Sequence, residues 1–172
     1  ESDGIENFIS LIGGKLTTYR NLSEQATDLV YKKLNKEKIG CKTKLIPLLG
    51  CIKDSVKIFK NENCKKLSDR YKLDEDIVNH LIDVYGSQIF NLLNLINDNP
   101  DFGKLLSSHS LDIRAQVHYA LKYELAFTVS DVLLRRLSLG LSEGLGEDSI
   151  SYVAEQIKNY FNLTQEEIAK QI

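Results

Sequence analysis

The sequence contains no methionine and no tryptophan, and only two prolines, ten glycines and three cysteines in 172 residues. Without methionine it does not open on a start codon as written, which predicts a C-terminal piece of a longer protein. So few prolines and glycines exclude a loop-rich or low-complexity chain. Cys41, Cys51 and Cys64 form no C-x-x-C pair, and His80, His109 and His118 do not fall at zinc-ligand spacing from them. Reduced structural thiols are therefore expected, and no metal site. No apolar run approaches the roughly 20 residues of a bilayer span, and no charged-apolar-small succession marks a signal peptide. Both absences favour a cytoplasmic location. A net charge of -2 gives no electrostatic reason to expect nucleic acid. What remains is an ordinary globular composition, 42% hydrophobic and 27% charged.

After a turn-like opening, Glu1-Ser2-Asp3-Gly4, residues 8–12 form an apolar run, and Gly13-Gly14 bounds it. Such a run reads as a buried strand, and no second strand follows to pair with it. An orphan strand left from a sheet upstream is expected. Residues 15–35 carry Leu22, Ala26, Leu29, Val30 and Leu34 at helical spacing. Residues 40–50 read as a connector, in which Pro47 biases Ile46 to an extended conformation. Short helices are expected over 52–59 and 64–71, separated by Asn61-Glu62-Asn63. Asp74 caps a helix over 75–85, Gly86 supplies a left-handed end, and Ser87 caps the next helix. Further helices are expected over 112–124, after the Thr128–Asp131 cap spacing, and over 150–161. Thr164-Gln165-Glu166-Glu167 is a full capping box for the last. The fold class is all-α, a multi-helix domain preceded by one orphan strand.

Two places carry chemistry. The turn at Gly13-Gly14 permits positive φ and close approach of another group to the backbone. The helix after it starts with free N–H groups and a partial positive charge, to which Lys15, Thr17 and Thr18 add an ammonium and two hydroxyls. This is either an anion site or an ordinary strand-to-helix turn with a solvated lysine. It is not the phosphate loop G-x-x-x-x-G-K-[ST], because Ile9 and Leu16 stand where glycine and a hydroxyl residue belong. The second place is Glu124, Asp131, Arg135 and Arg136, where Asp131 and Arg135 can pair at i, i+4. A structural ion-pair network is the expected role. No Ser/His/Asp or Cys/His grouping suggests a nucleophile, and Ser108-His109-Ser110 reads as a polar loop.

Ile9-Ser10-Leu11-Ile12-Gly13-Gly14-Lys15-Leu16-Thr17-Thr18-Tyr19-Arg20 closely resembles the segment that closes the FAD domain of flavin-dependent glycerol-3-phosphate dehydrogenases and the related oxidases. Cys41-Lys42-Thr43 with Pro47-Leu48-Leu49-Gly50 resembles that family's connector, and Tyr85-Gly86 its helix-hairpin turn. Arg114-Ala115-Gln116-Val117 through Glu124, then Asp131-Val132-Leu133-Leu134-Arg135-Arg136, resembles its C-terminal helical domain. Tyr123 and Leu137 depart from the family pattern, which often has His and Thr there.

The resemblance implies that residues 1–37 end an FAD-binding domain, 38–50 connect, and 51–172 form the C-terminal α-helical domain. Lys15 would reach the substrate phosphate or the flavin edge, and Gly13, Gly14, Leu16, Thr17 and Thr18 would contact the cofactor. No catalytic residue is expected in this fragment. The full-length enzyme would move a hydride from sn-glycerol 3-phosphate to FAD, giving dihydroxyacetone phosphate, with quinone or oxygen as acceptor. The missing N-terminal domain is an implied partner. Peripheral membrane association of the parent at the inner face of the cell membrane stays open, as does a homo-oligomer. One turn and one lysine cannot enclose a dinucleotide, so the fragment alone is expected to bind no FAD and to be inactive. The alternative is a non-catalytic all-α interaction or dimerisation module.

Overall fold

Residues 8–12 do not form a strand in the computed structural model, which describes Gly4 and residues 7–172. They run as irregular chain with Phe8 71% and Ile12 91% exposed. Among the described residues no sheet edge exists for them to join, and a lone run cannot satisfy its backbone groups as a strand. The first three residues of the turn-like opening lie outside the described residues. The chain divides into two compact units, Glu1–Leu48 and Leu49–Ile172.

In the first unit a single 3₁₀ turn, Leu16–Thr18, leads into α1, Tyr19–Lys33. Lys32 and Lys33 sit in its last turn, where positive charge complements the helix dipole. The end is a Schellman motif. Asn35 adopts φ 51°, its N–H donates to the Lys32 carbonyl at 3.1 Å, and Lys36 donates to the Tyr31 carbonyl at 2.9 Å. The amphipathic pattern that predicts this helix is real, yet α1 buries no residue. Beyond it residues 36–48 run as turns and extended chain, tied back by the 2.7 Å Lys38–Asp28 ion pair.

The second unit opens with α2, Val56–Tyr71, where two short helices are expected from the sequence. Asn63 resolves the difference. Its amide donates to the Phe59 carbonyl one turn back at 2.9 Å, so it supports the helix backbone where an Asn cluster usually competes with it. Ser55 is the N-cap, accepting from the Ile58 N–H at 3.2 Å. Next comes α3, Glu75–Tyr85, followed by a 3₁₀ turn, Gly86–Gln88, and α4, Ile89–Asp98. Gln88 and not Ser87 precedes α4, because the Ser87 N–H donates to the Gly50 carbonyl at 3.1 Å. Gly86 has φ 54° and ψ −131°, a conformation open only to glycine and not the left-handed helical one expected. A Cβ there would overlap the Gly50 carbonyl oxygen.

The helix α5, Arg114–Tyr123, runs between two apolar clusters. Ala115 and Tyr119 pack with α2, α3 and α4, while Val117, Ala120 and Leu121 pack with the C-terminal elements. The first of these is a π-helical turn, Asp131–Arg136, in which the Leu137 N–H reaches the Val132 carbonyl at 2.9 Å. Two 3₁₀ turns lead to α6, Glu147–Phe161, and then to α7, Gln165–Ala169. The Thr164 capping box forms as expected, with Glu167 accepting from the Thr164 N–H at 2.8 Å. An isolated antiparallel bridge between Leu105 and Ile113 is the one strand-like pairing among the described residues. The fold is all-α. Of the cysteines only Cys64 is a core residue; Cys41 and Cys51 are exposed, against the expectation of structural packing for all three.

Candidate functional site

The segment 13–18 lies on the surface of the first unit. Neither Gly13 nor Gly14 takes a positive φ, so the left-handed turn that the pair permits is not formed. A Cβ on Gly14 would meet nothing within 4 Å, whereas one on Gly13 would come within 3.1 Å of the Leu22 side chain. Lys15 is extended, at φ −139° and ψ 138°, and exposed. Its carbonyl accepts from both the Thr18 N–H, at 3.2 Å, and the Thr18 hydroxyl, at 2.8 Å. That pair of bonds fixes the turn before α1 and commits the Thr18 hydroxyl to it. Leu16 and Thr17 are exposed on the same turn. The exposed stretch from Gly13 to Thr17 thus carries the Lys15 ammonium, the Thr17 hydroxyl and a backbone left open at Gly14.

The second set, Glu124, Asp131, Arg135 and Arg136, stands in the other unit. Arg135 pairs with Asp131 at 2.8 Å. The Asp131 carboxylate also accepts from the Phe127 and Thr128 N–H groups, at 3.1 and 2.9 Å, while its own N–H donates to the Thr128 hydroxyl at 3.0 Å. Those backbone donors, Phe127 foremost, hold its carboxyl below the usual carboxylate range. Arg136 donates its Nε to the backbone carbonyl of Glu124 at 2.9 Å. The Glu124 carboxylate itself joins neither arginine, and its Oε2 is buried without a hydrogen-bond partner. Burial pushes this carboxyl up, against the opposing pull of Arg136.

A third cluster escapes sequence reasoning. Asp112 is buried before α5, and its carboxylate accepts from His80 Nε2 at 2.8 Å, from the Gln116 amide at 2.8 Å, and from the Ser110 hydroxyl. Gln116 is fully buried, accepts from the Ile113 N–H at 2.7 Å and donates to the Tyr85 hydroxyl at 3.4 Å. Burial raises the Asp112 carboxyl, but the bonds from His80, Ser110 and Gln116 outweigh it and leave it lowered. Asp148 in the first turn of α6 gathers Ser107 and both the N–H and hydroxyl of Ser108, so the expected polar loop is anchored. Only the Asp112–Gln116 spacing at the head of a helix hints at any of this; His80 and Asp112 are 32 residues apart. These bonds join His80 and Tyr85 of α3 to Asp112 and Gln116 at the start of α5, which makes the cluster a fastener for the two helices. Among the described residues no group of His, Cys, Asp and Glu is placed to hold a metal ion, and no helix is long and apolar enough to cross a membrane.

Comparison with known proteins bears on both units. Residues 41–168 match the family described as the C-terminal domain of alpha-glycerophosphate oxidase. The chain is 32% identical over 173 residues to a glycerol-3-phosphate dehydrogenase of Synechocystis, an alignment taking in 99% of this chain and 30% of that protein. It is 36% identical over 132 residues to a probable mitochondrial glycerol-3-phosphate dehydrogenase of Dictyostelium discoideum, covering 76% of this chain and 20% of the relative. An aerobic glycerol-3-phosphate dehydrogenase of Staphylococcus epidermidis is 28% identical over 140 residues, covering 78% and 25%. The chain thus spans less than a third of the length of each of these relatives. The family match starts at Cys41, so the 13–18 segment lies outside it.

Proposed function

This chain belongs to the family of the C-terminal domain of alpha-glycerophosphate oxidase, and on that premise we propose that its parent is a flavoprotein oxidising sn-glycerol 3-phosphate. The observation that carries the reading is the family match itself, supported by near-complete alignment of the chain with a named glycerol-3-phosphate dehydrogenase. FAD, when bound, would supply the two-electron acceptor for the hydride leaving C2, and with the C2 hydroxyl proton passed to a base of the parent the substrate would become dihydroxyacetone phosphate. Lys15 holds a cation toward the substrate phosphate or the flavin edge, where pre-placed charge stabilises charge that develops in the reaction. Gly13 and Gly14 admit the cofactor close to the backbone. The amides of Leu16 and Thr17 and the Thr17 hydroxyl line the same turn, while Thr18 acts by fixing the Lys15 carbonyl.

The fit is to one edge of a cofactor. The six residues from 13 to 18 are all exposed, and a surface turn cannot surround a dinucleotide. Residues 1–37 therefore belong with an N-terminal FAD-binding domain, 38–50 connect, and 51–172 make the helical domain. The exposed Phe8, Leu11, Ile12 and Leu16 suit packing against that partner domain. Quinone or oxygen takes the electrons onward, and peripheral association of the parent with the inner face of the cell membrane is compatible with either.

The test is the full-length protein with glycerol 3-phosphate and an artificial electron acceptor. Substrate-dependent reduction of the acceptor is expected; a flavin-loaded parent that leaves it oxidised removes the activity. The 172-residue chain by itself should purify colourless and show no turnover. Lys15→Ala in the parent removes a charge-assisted contact of about 1.5–3 kcal/mol, which weakens use of the phosphorylated substrate by roughly 10- to 100-fold. Its helical circular dichroism should not change. A second reading, a non-catalytic interaction or dimerisation module, is favoured by one observation, that α1 buries no residue. A parent sequence lacking a G-x-G-x-x-G fingerprint after a strand would decide for it.

A further inference from the structure

A cleft of about 660 Å³ opens in the second unit between residues 49–56, the C-terminal end of α3 and the C-terminal end of α5. Its volume falls in the range of small-molecule sites. Tyr85, Tyr119 and Tyr123 line it as a contiguous aromatic wall. The first two rings meet edge-on at 5.3 Å, and the second and third lie 5.0 Å apart. Two carboxylates line it and no basic side chain does. Asp83 is already paired, with Lys60 Nζ at 2.6 Å. Glu124 is not.

The hydrogen bonds made by the groups around Glu124 go to other acceptors. Arg136 gives its Nε to the Glu124 backbone oxygen, and the Tyr119 hydroxyl donates to Gln88 Oε1 at 3.2 Å. Gln116 gives its amide to Asp112 and Tyr85. Lys122 lies over the Tyr123 ring, 5.2 Å from its centroid, without bonding the carboxylate. Glu124 Oε2 is thus buried without a hydrogen-bond partner, while the half-buried residue as a whole lines the cleft.

We propose that this cleft binds a guanidinium group, carried by an arginine side chain or by an arginine-derived amine. A guanidinium offers N–H donors to a carboxylate and a planar face to an aromatic ring, and the cleft is lined by both kinds of partner. A neutral apolar ligand would leave Glu124 unsatisfied, and an anion would be repelled by it. A divalent cation demands several oxygen ligands, and only one carboxylate here is open. The lining shares no residue with the proposed flavin contact at Lys15, and binding needs no redox partner.

The test uses the ¹⁵N-labelled 172-residue chain and two probes, agmatine and the peptide acetyl-Ala-Ala-Arg-Ala-Ala-amide. Saturable amide shifts confined to residues 49–56, 82–88 and 119–124 are expected with at least one probe. Binding should weaken at least tenfold in Glu124→Gln and in Tyr123→Ala, the latter at a half-exposed ring whose loss leaves the core intact. Agmatine alone binding assigns a free small ligand, and the peptide binding assigns an arginyl side chain of a polypeptide. The proposal is overturned if neither probe gives a saturable local shift. It is equally overturned if Glu124→Gln binds as well as the parent chain, or if a citrulline peptide binds as tightly as the arginine one.

Discussion

The first unit has a helix of fifteen residues with an apolar stripe and buries none of them, while every buried hydrophobic residue of the described chain lies between Cys64 and Ile168 in the second. Both units are built from amphipathic helices. The stripe of α3 finds α2, α4 and α5, whereas Leu29, Val30 and Leu34 of and beside α1 remain exposed. Amphipathic periodicity reports that a face is meant to be covered, and not what covers it. In the second unit the cover is the chain itself.

The largest test of that contrast is truncation of a core leucine. Leu92→Ala removes a fully buried side chain and should cost about 3 kcal/mol, read as a lower urea midpoint of the helical signal. Leu29→Ala should cost no more than about 0.5 kcal/mol, and an equal loss would break the comparison. Glycines give a second pair. Gly86→Ala should destabilise by about 3 kcal/mol, because both its φ of 54° and the Gly50 carbonyl oppose a Cβ. Gly14→Ala, with open space and no positive φ, should be neutral or stabilising by up to about 1 kcal/mol.

Smaller effects come from the two shifted carboxyls of the second unit, which have opposite signs. Asp112 is lowered in the folded chain, so its stabilisation is full above the unfolded value near 3.9 and is lost as pH falls through the lower folded value. Acid titration of stability should therefore be steeper below about pH 4 in the parent chain than in Asp112→Asn. Glu124 is raised, so the folded state favours its proton and stability declines as pH climbs from the unfolded value near 4.3 through the folded one. Glu124→Gln should match the parent chain at about pH 4 and equal or exceed its thermal midpoint at about pH 8. A midpoint below the parent's at the higher pH would mean that the carboxylate is satisfied after all.

Local signals in the sequence are readable and distant ones are not. Thr164 and Glu167 stand three apart and cap α7 through bonds that need no other part of the chain. Asp74 stands at the N-cap position of α3 without the expected side-chain cap bond, and the apolar stripe and Gly86 mark the rest of the helix, although the backbone of Gly86 answers to Gly50, a partner no short-range pattern reveals. The break expected within α2 is absent because Asn63, in a cluster with the composition of a loop, bonds back to Phe59. The strand expected at 8–12 rests on composition, which cannot supply a neighbouring edge. For the site, the grouping of Gly13, Gly14, Lys15, Thr17 and Thr18 comes from adjacency. Asp112 with His80, and Asp148 with Ser107, meet across 32 and 41 residues and leave no trace in either stretch alone.

The wide turn at Asp131–Arg136 carries one residue more than the helix cylinder accommodates, seen where Leu137 skips past the usual carbonyl to bond Val132. Everything downstream of that supernumerary residue is rotated by roughly 100° about the axis, and Arg136 thereby reaches the Glu124 carbonyl while Arg135 stays with Asp131. Excising Leu134, whose side chain is about half exposed, would rewind the segment to ordinary pitch. Arg136 would then take the place beside Asp131 that Arg135 holds now, and Arg135 would move to the bearing left by Leu134. The segment's length, and not merely its composition, sets which arginine serves which oxygen.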